Sequence, residues 1–201
     1  MDTGRLETFS DGVFAIAITL LILDVRVPSG DGPLSSKLAD AWPAYLAYVI
    51  SFLIIGIMWA NHHGIFRFVH RVETRLLFAN GFLLMVTTLV PFTTALVSDH
   101  FLKESAHTAG AIYAGLFVLI NVGYNVIWWA VRRQRSAALG RAPRGVIGRI
   151  TRNYAVGLPL YVVATLAALW SPGLSLAICT ALWVHWAFNM RPVHALTDDP
   201  S

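Results

Sequence analysis

The chain has 201 residues, of which 56% are hydrophobic and only 13% charged, with a formal net charge of +4 and a mean hydropathy of +0.61. That is more apolar side chain than a water-soluble domain of this length carries, and it places the chain in lipid. The pI near 9.6 would suit nucleic acid, but the arginines lie in short segments between apolar runs, where they report membrane orientation, so no nucleic-acid role is expected.

The N-terminal segment MDTGRLETFSDG sets Asp2 and Glu7 around a lone Arg5. A cleavable signal peptide has a basic n-region instead, so the first apolar run is expected to remain in the mature protein. A bilayer core takes about 20 mostly apolar helical residues, and six runs qualify: roughly 9–27, 42–60, 77–98, 109–131, 153–170 and 173–190. The segment between the first two, PSGDGPLSSKLADAWP, is rich in Pro, Gly and Ser and reads as an outer loop. The second connection carries Arg67, Arg71 and Arg75; the fourth carries Arg132, Arg133, Arg135, Arg141, Arg144, Arg149 and Arg152. Short basic loops stay cytoplasmic, which puts both of these connections, and both termini, inside. Trp42, Trp128, Trp129 and Trp170 fall near predicted helix ends, the level an indole prefers.

The stretch from Arg132 to Arg152 suits either a short surface helix on anionic lipid or a loop. Ser171-Pro172-Gly173 is a tight turn that folds the last two runs into an antiparallel hairpin, and Cys179, the sole cysteine, is expected to pack in the core. The predicted fold is an all-α integral membrane protein, one domain over 1–201, with six transmembrane helices per subunit.

In the first helix, at about 100° per residue, Arg5, Phe9, Gly12, Ile16, Thr19 and Leu23 share one stripe, flanked by Leu20 and Val27. Such a stripe is more often a helix-packing seam than a pore lining, and geometry alone does not choose. Asp11 lies about 140° around from Ile16 and points away from the stripe. A carboxylate at this depth needs donors. His62, His63, Arg67, Arg71 and Asn80 are the candidates on the same side. The arrangement reads as a hydrogen-bonded clasp for helix one, with an ion-binding or catalytic Asp as the alternative. Adjacent histidines point about 100° apart and no zinc-binding spacing accompanies them, so no metal site and no cofactor is expected. Nucleophile-elbow, Walker and dinucleotide signatures are absent, as is a carbonyl-ring filter loop, so no enzyme is expected and any pore must select by side chains.

Arg5-Leu-Glu-Thr-Phe9-Ser10-Asp11, followed by GVFAIAITLLILDV, resembles the RxxxFSD signature that opens the first helix in the lysosomal potassium-channel family, transmembrane protein 175, in its prokaryotic branch. Trp59-Ala-Asn61-His62-His63, Asn80 and Val90-Pro91-Phe92 are similar to segments the family carries further along. The resemblance is specific in the first three spans and rests on hydropathy in the rest. It implies a homotetramer with the first helices around a central pore in a prokaryotic plasma membrane, potassium as the permeant ion, and a hydrophobic constriction five residues after the signature Asp. That position is Ile16, and Thr19, Leu20 and Leu23 continue the pore face. A ring of four isoleucines can stop conduction by dewetting, and opening it to partly hydrated ions favours potassium over sodium moderately. Thr19 then offers hydroxyl oxygens, or bonds back to its own helix at Ala15 or Ile16.

Arg5, Phe9, Ser10, Asp11, His62, His63 and Asn80 are then structural and gating elements, and the two histidines make pH modulation a hypothesis. The rival is a proton-coupled secondary transporter using Asp11 and His62/His63 as a relay. A non-conducting scaffold that recruits partners through the arginine-rich loop is a third reading.

Overall fold

The structure, a computed structural model, describes residues 2–26, 29, 31–134 and 144–189. Val27 at the end of the first predicted run, the middle of the arginine-rich stretch (135–143), the last residue of the sixth run and the C-terminus lie outside the described residues. The elements are α1 (Thr3–Leu20) with a 3₁₀ extension (Leu21–Asp24), α2 (Leu34–Asp40), α3 (Trp42–Phe66), α4 (Thr74–Thr87), α5 (Val90–His100), α6 (Ala106–Arg133), α7 (Arg144–Ala167) and α8 (Pro172–Asn189). No strand occurs among the described residues.

Helix α1 starts two turns before the apolar run does, because Asp2 caps it by accepting a bond from the Gly4 amide at 3.3 Å. The signature residues Arg5 to Asp11 therefore stand on the helix itself. Part of the predicted outer loop also becomes helical: after Pro33, the segment LSSKLAD contains neither Gly nor Pro and winds into α2. No α2 residue is buried.

Among the described residues, four stretches are long and apolar enough to cross a membrane: Thr3–Asp24, Trp42–Phe66, Thr74–His100 and Ala106–Arg133. Pro172–Phe188 is apolar but shorter. Helix α7 is long, yet its first turns carry Arg144, Arg149 and Arg152 and its interior holds Pro159. The third stretch, predicted as one run, is two helices. Pro91 sits in the first turn of α5 and has no N–H to return to the Thr87 carbonyl, so α4 ends at Thr87 and α5 begins at Val90. The Thr87 and Thr88 hydroxyls cap the break, donating to the carbonyls of Leu83 (2.8 Å) and Met85 (2.7 Å).

Helix α6 is the hub, packing on α4, α5, α7 and α8, while α1 packs on α3, α4 and α5. Its buried Phe117 meets the rings of Tyr161 on α7 and Trp183 on α8 at centroid distances of 5.8 and 5.6 Å. Cys179 is buried in this core, as expected. The α7–α8 hairpin also forms as expected, its turn closed by the Ser171 amide donating to the Ala167 carbonyl at 2.9 Å. Lipid tails are as apolar as leucine, so close packing and buried hydrogen bonds, not exclusion from water, hold such helices together. Gly157 shows how tight that packing is, since a Cβ there would collide with the Asn121 side chain of α6.

Candidate functional site

One face of α1 is covered and the other is bare. Leu6, Ser10, Phe14, Ala17 and Leu21 are buried, at spacings of three and four residues that define a single helical face. Opposite them, Phe9 is 62% exposed, Ile16 60%, Leu20 41% and Leu23 70%. Arg5, Gly12 and Thr19 are exposed on the same side. The stripe read from the sequence is therefore not a packing seam within the subunit; it is an apolar face that the chain does not cover.

The covered face is pinned by a chain of buried polar groups running from α1 through α4 to α3. The Ser10 hydroxyl donates to the Leu6 carbonyl at 2.8 Å and accepts from Asn80 Nδ2 at 2.9 Å. Asn80 Oδ1 lies 2.7 Å from His62 Nε2. An amide oxygen only accepts, so His62 carries its proton on Nε2, and the other nitrogen of the neutral ring is an acceptor. Ser10, His62 and Asn80 are all at most 1% exposed. The His62 ring is wedged between Phe66, stacked at 4.2 Å, and Phe14, edge-on at 5.3 Å. Its Nδ1 is buried without a hydrogen-bond partner among the described residues.

Two further bonds set the register of α1 against α3. Glu7 Oε1 receives His63 Nδ1 at 2.8 Å, and Asp11 Oδ1 receives Trp59 Nε1 at 2.9 Å. Glu7 and Asp11 are one turn apart on α1, and Trp59 and His63 are one turn apart on α3, so the two bonds run as rungs between antiparallel helices. Trp59 also stacks on His63 with centroids 6.2 Å apart, which fixes the indole facing the carboxylate.

These contacts redistribute the predicted clasp. Ser10, His62 and Asn80 come together as one network, and His63 engages α1 as well. The hydrogen-bond donor to Asp11 Oδ1 is Trp59, a residue outside the predicted donors. Glu7, which the sequence marks only by its place one turn before Asp11, belongs to the same side. Arg5 and Phe9 join neither network; both lie on the bare face and make no hydrogen bond, ion pair or ring contact among the described residues. His62 and His63 face different partners, and no group of three or more His, Cys, Asp or Glu suited to a metal occurs among the described residues.

On the bare face, Thr19 Oγ1 donates to the Ile16 carbonyl at 2.9 Å, the back-bonded geometry anticipated as one alternative. That bond uses the hydroxyl proton and leaves the oxygen lone pairs outward. At the far end of α1, Asp24 shares a groove with Arg26, Asp40, Asp99 and Lys103, where Arg26 reaches Asp99 at 3.4 Å. Charges of both signs meet there.

The model of the endosomal/lysosomal potassium channel TMEM175 family matches residues 5–91. A potassium channel of Streptomyces collinus is 43% identical over 197 residues, which is 96% of this chain and 95% of that protein. The crystal structure of a lysosomal potassium-selective channel TMEM175 homolog from Chamaesiphon minutus superposes with a TM-score of 0.85 at 40% identity, covering 94% of this chain and 97% of that one. The endosomal/lysosomal proton channel TMEM175 of Gallus gallus is 46% identical over 83 residues, which is 36% of this chain and 16% of that protein.

Proposed function

The chain belongs to the TMEM175 family and is a potassium channel, and on that premise we propose that potassium crosses along the bare face of α1, at the axis of a homotetramer. One observation carries this reading: Ile16, Thr19, Leu20 and Leu23 form an apolar stripe that the subunit leaves open, on a helix whose other side is fixed by buried hydrogen bonds. Four such stripes facing an axis give a narrow path with Ile16 as its constriction. An isoleucine ring supplies no oxygen to replace an ion's water, so the closed ring is a dewetted barrier. Widening it admits a partly hydrated ion, and potassium, which holds its water less tightly than sodium, is moderately favoured. Thr19 lies about 4.5 Å further along the axis, and its outward lone pairs partly replace the water an ion sheds there.

The clasp has a different role. Ser10, Asn80 and His62, with the rungs Glu7–His63 and Asp11–Trp59, hold the end of α1 that sets the radius at Ile16. The assembly in the bilayer follows from the same parts. Six helices cross, with α7 and α8 completing the set, and the basic connections place both termini in the cytoplasm. A multi-pass position in a prokaryotic plasma membrane agrees with the single six-helix unit and with the nearly full-length match to a Streptomyces relative.

The test is a planar bilayer recording under a potassium/sodium gradient, comparing wild type with Ile16→Asn. Wild type should give single-channel steps with a reversal potential directed toward potassium. Ile16→Asn should raise conductance and bring the reversal potential toward zero, because a wettable ring no longer strips water from the ion. A variant with unchanged conductance and selectivity would remove Ile16 from the pore. Saturable uptake driven by a proton gradient, with no unitary steps, would favour the transporter reading of Asp11 and His62/His63 instead.

A further inference from the structure

A second region, far from α1, has the chemistry of a ligand site. Between Ser105 and Thr197 the sequence contains no Asp or Glu, while Arg132, Arg133, Arg144, Arg149 and Arg152 fall within that stretch. Two of these cations converge on a groove between α7 and α8. Its upper part is made by Arg149, Arg152 and Asn153 with His185 opposite, and its lower part by Val156, Leu160 and the wall of Trp186. Neither Arg149 nor Arg152 has an ion-pair or hydrogen-bond partner among the described residues.

The residues below them continue one helical row. Arg149, Arg152, Val156, Leu160 and Val163 follow one another at three- and four-residue steps, and Val156, Leu160 and Val163 are 45%, 37% and 54% exposed. From Arg152 to Val163 the row runs about 16 Å, roughly the reach of an acyl chain. Two guanidiniums with no carboxylate partner among the described residues, above an exposed apolar track, match the two halves of one molecule, an anionic headgroup and its tail. A soluble anion would have no use for the track, and a zwitterionic lipid would bring a cation to a groove whose described lining offers it no carboxylate.

We propose that the α7–α8 groove is a binding site for an anionic phospholipid, with Arg149 and Arg152 holding the phosphate and the Val156–Leu160–Val163 row seating an acyl chain. The site needs only that α7 lie in the bilayer, so it stands or falls separately from the pore assigned to α1.

Native mass spectrometry of the purified full-length channel tests it, with phosphatidylglycerol, phosphatidylcholine and inorganic phosphate as probes. Wild type should retain phosphatidylglycerol at least about tenfold more tightly than phosphatidylcholine, and millimolar phosphate should not displace it. Arg149→Gln/Arg152→Gln should weaken phosphatidylglycerol binding about thirtyfold, the change that corresponds to about 1 kcal/mol for each arginine near an anionic headgroup. Arg149→Lys/Arg152→Lys should keep most of the binding, and Arg132→Gln/Arg133→Gln, outside the groove, should keep all of it. If the double glutamine variant does not assemble, Arg152→Gln alone should still show a loss of about fivefold. The proposal is overturned by equal retention of phosphatidylcholine, by displacement with phosphate, by unchanged binding in the groove variants, or by an equal loss in the Arg132/Arg133 control.

Discussion

Asn80→Ala should cut the polar links from α4 to α1 and from α4 to α3 while leaving in place the apolar contacts of α1 and its two rungs to α3. The substitution removes two bonds at once, Asn80 Nδ2 to Ser10 Oγ at 2.9 Å and His62 Nε2 to Asn80 Oδ1 at 2.7 Å, both in a fully buried site. The costs are unequal. Ser10 keeps its own bond to the Leu6 carbonyl and loses only an incoming donor, whereas the His62 N–H is left facing apolar neighbours, a loss of about 1–3 kcal/mol. Interhelical hydrogen bonds in lipid average about 0.6 kcal/mol and reach about 1.7, so the total should fall near 1–3 kcal/mol. Ser10→Ala should cost less, about 0.5–1.5 kcal/mol, and the two changes should be non-additive because they share a bond.

The same loss has a mechanical consequence at the constriction proposed at Ile16. Ser10 and Ile16 are six residues apart, about 9 Å along the helix, so a tilt of about 5° at Ser10 displaces Ile16 by about 0.8 Å. Across the proposed fourfold ring that doubles, and a hydrophobic gate of the proposed kind is sensitive to changes of this size. Detergent-titrated unfolding measures the first effect and single-channel open probability the second. If Asn80→Ala leaves stability within about 0.3 kcal/mol of wild type and open probability unchanged, the network neither holds α1 nor positions Ile16, and the reasoning fails.

Trp59→Phe preserves an aromatic ring over His63 but removes the donor to Asp11, and should cost about 1 kcal/mol in the same unfolding titration, since the site is partly open to solvent. Glu7→Ala removes the acceptor that His63 Nδ1 reaches at 2.8 Å and should cost no more than about 1 kcal/mol in the same titration, because the pair is partly exposed; no measurable change would mean that this rung does not hold α1. Gly157→Ala drives a methyl into Asn121 and should destabilise the α6–α7 interface by about 1–3 kcal/mol, seen as a lower melting temperature of the assembled channel.

Much of the candidate site was legible in advance, for identifiable reasons. Helical period alone put Phe9, Ile16, Thr19 and Leu23 on one side of α1 and Asp11 on another, because a helix fixes the angle between its own residues whatever surrounds it. The break in the third span was visible only as Pro91, which withholds an N–H from the Thr87 carbonyl; that α4 stops there, with the Thr87 and Thr88 hydroxyls turned back onto the carbonyls of Leu83 and Met85, shows only in the structure. Arg5 and Phe9 belong to the signature and were grouped with the clasp on that ground, yet they stand on the open face. A sequence motif records what is kept together along the chain, not what touches.

The amino-acid sequence by itself decided that the chain lives in lipid, that its first helix has an apolar stripe opposed to a polar side, and which family it resembles. Each of these is a property of composition or of one helix at a time. Only the tertiary structure decided that the stripe is left uncovered, that Trp59 and not a histidine answers Asp11, and that Glu7 pairs with His63. Those outcomes depend on how α1 and α3, some fifty residues apart in sequence, slide past one another. Shifting that antiparallel register by one turn would exchange every partner and leave both helical patterns intact.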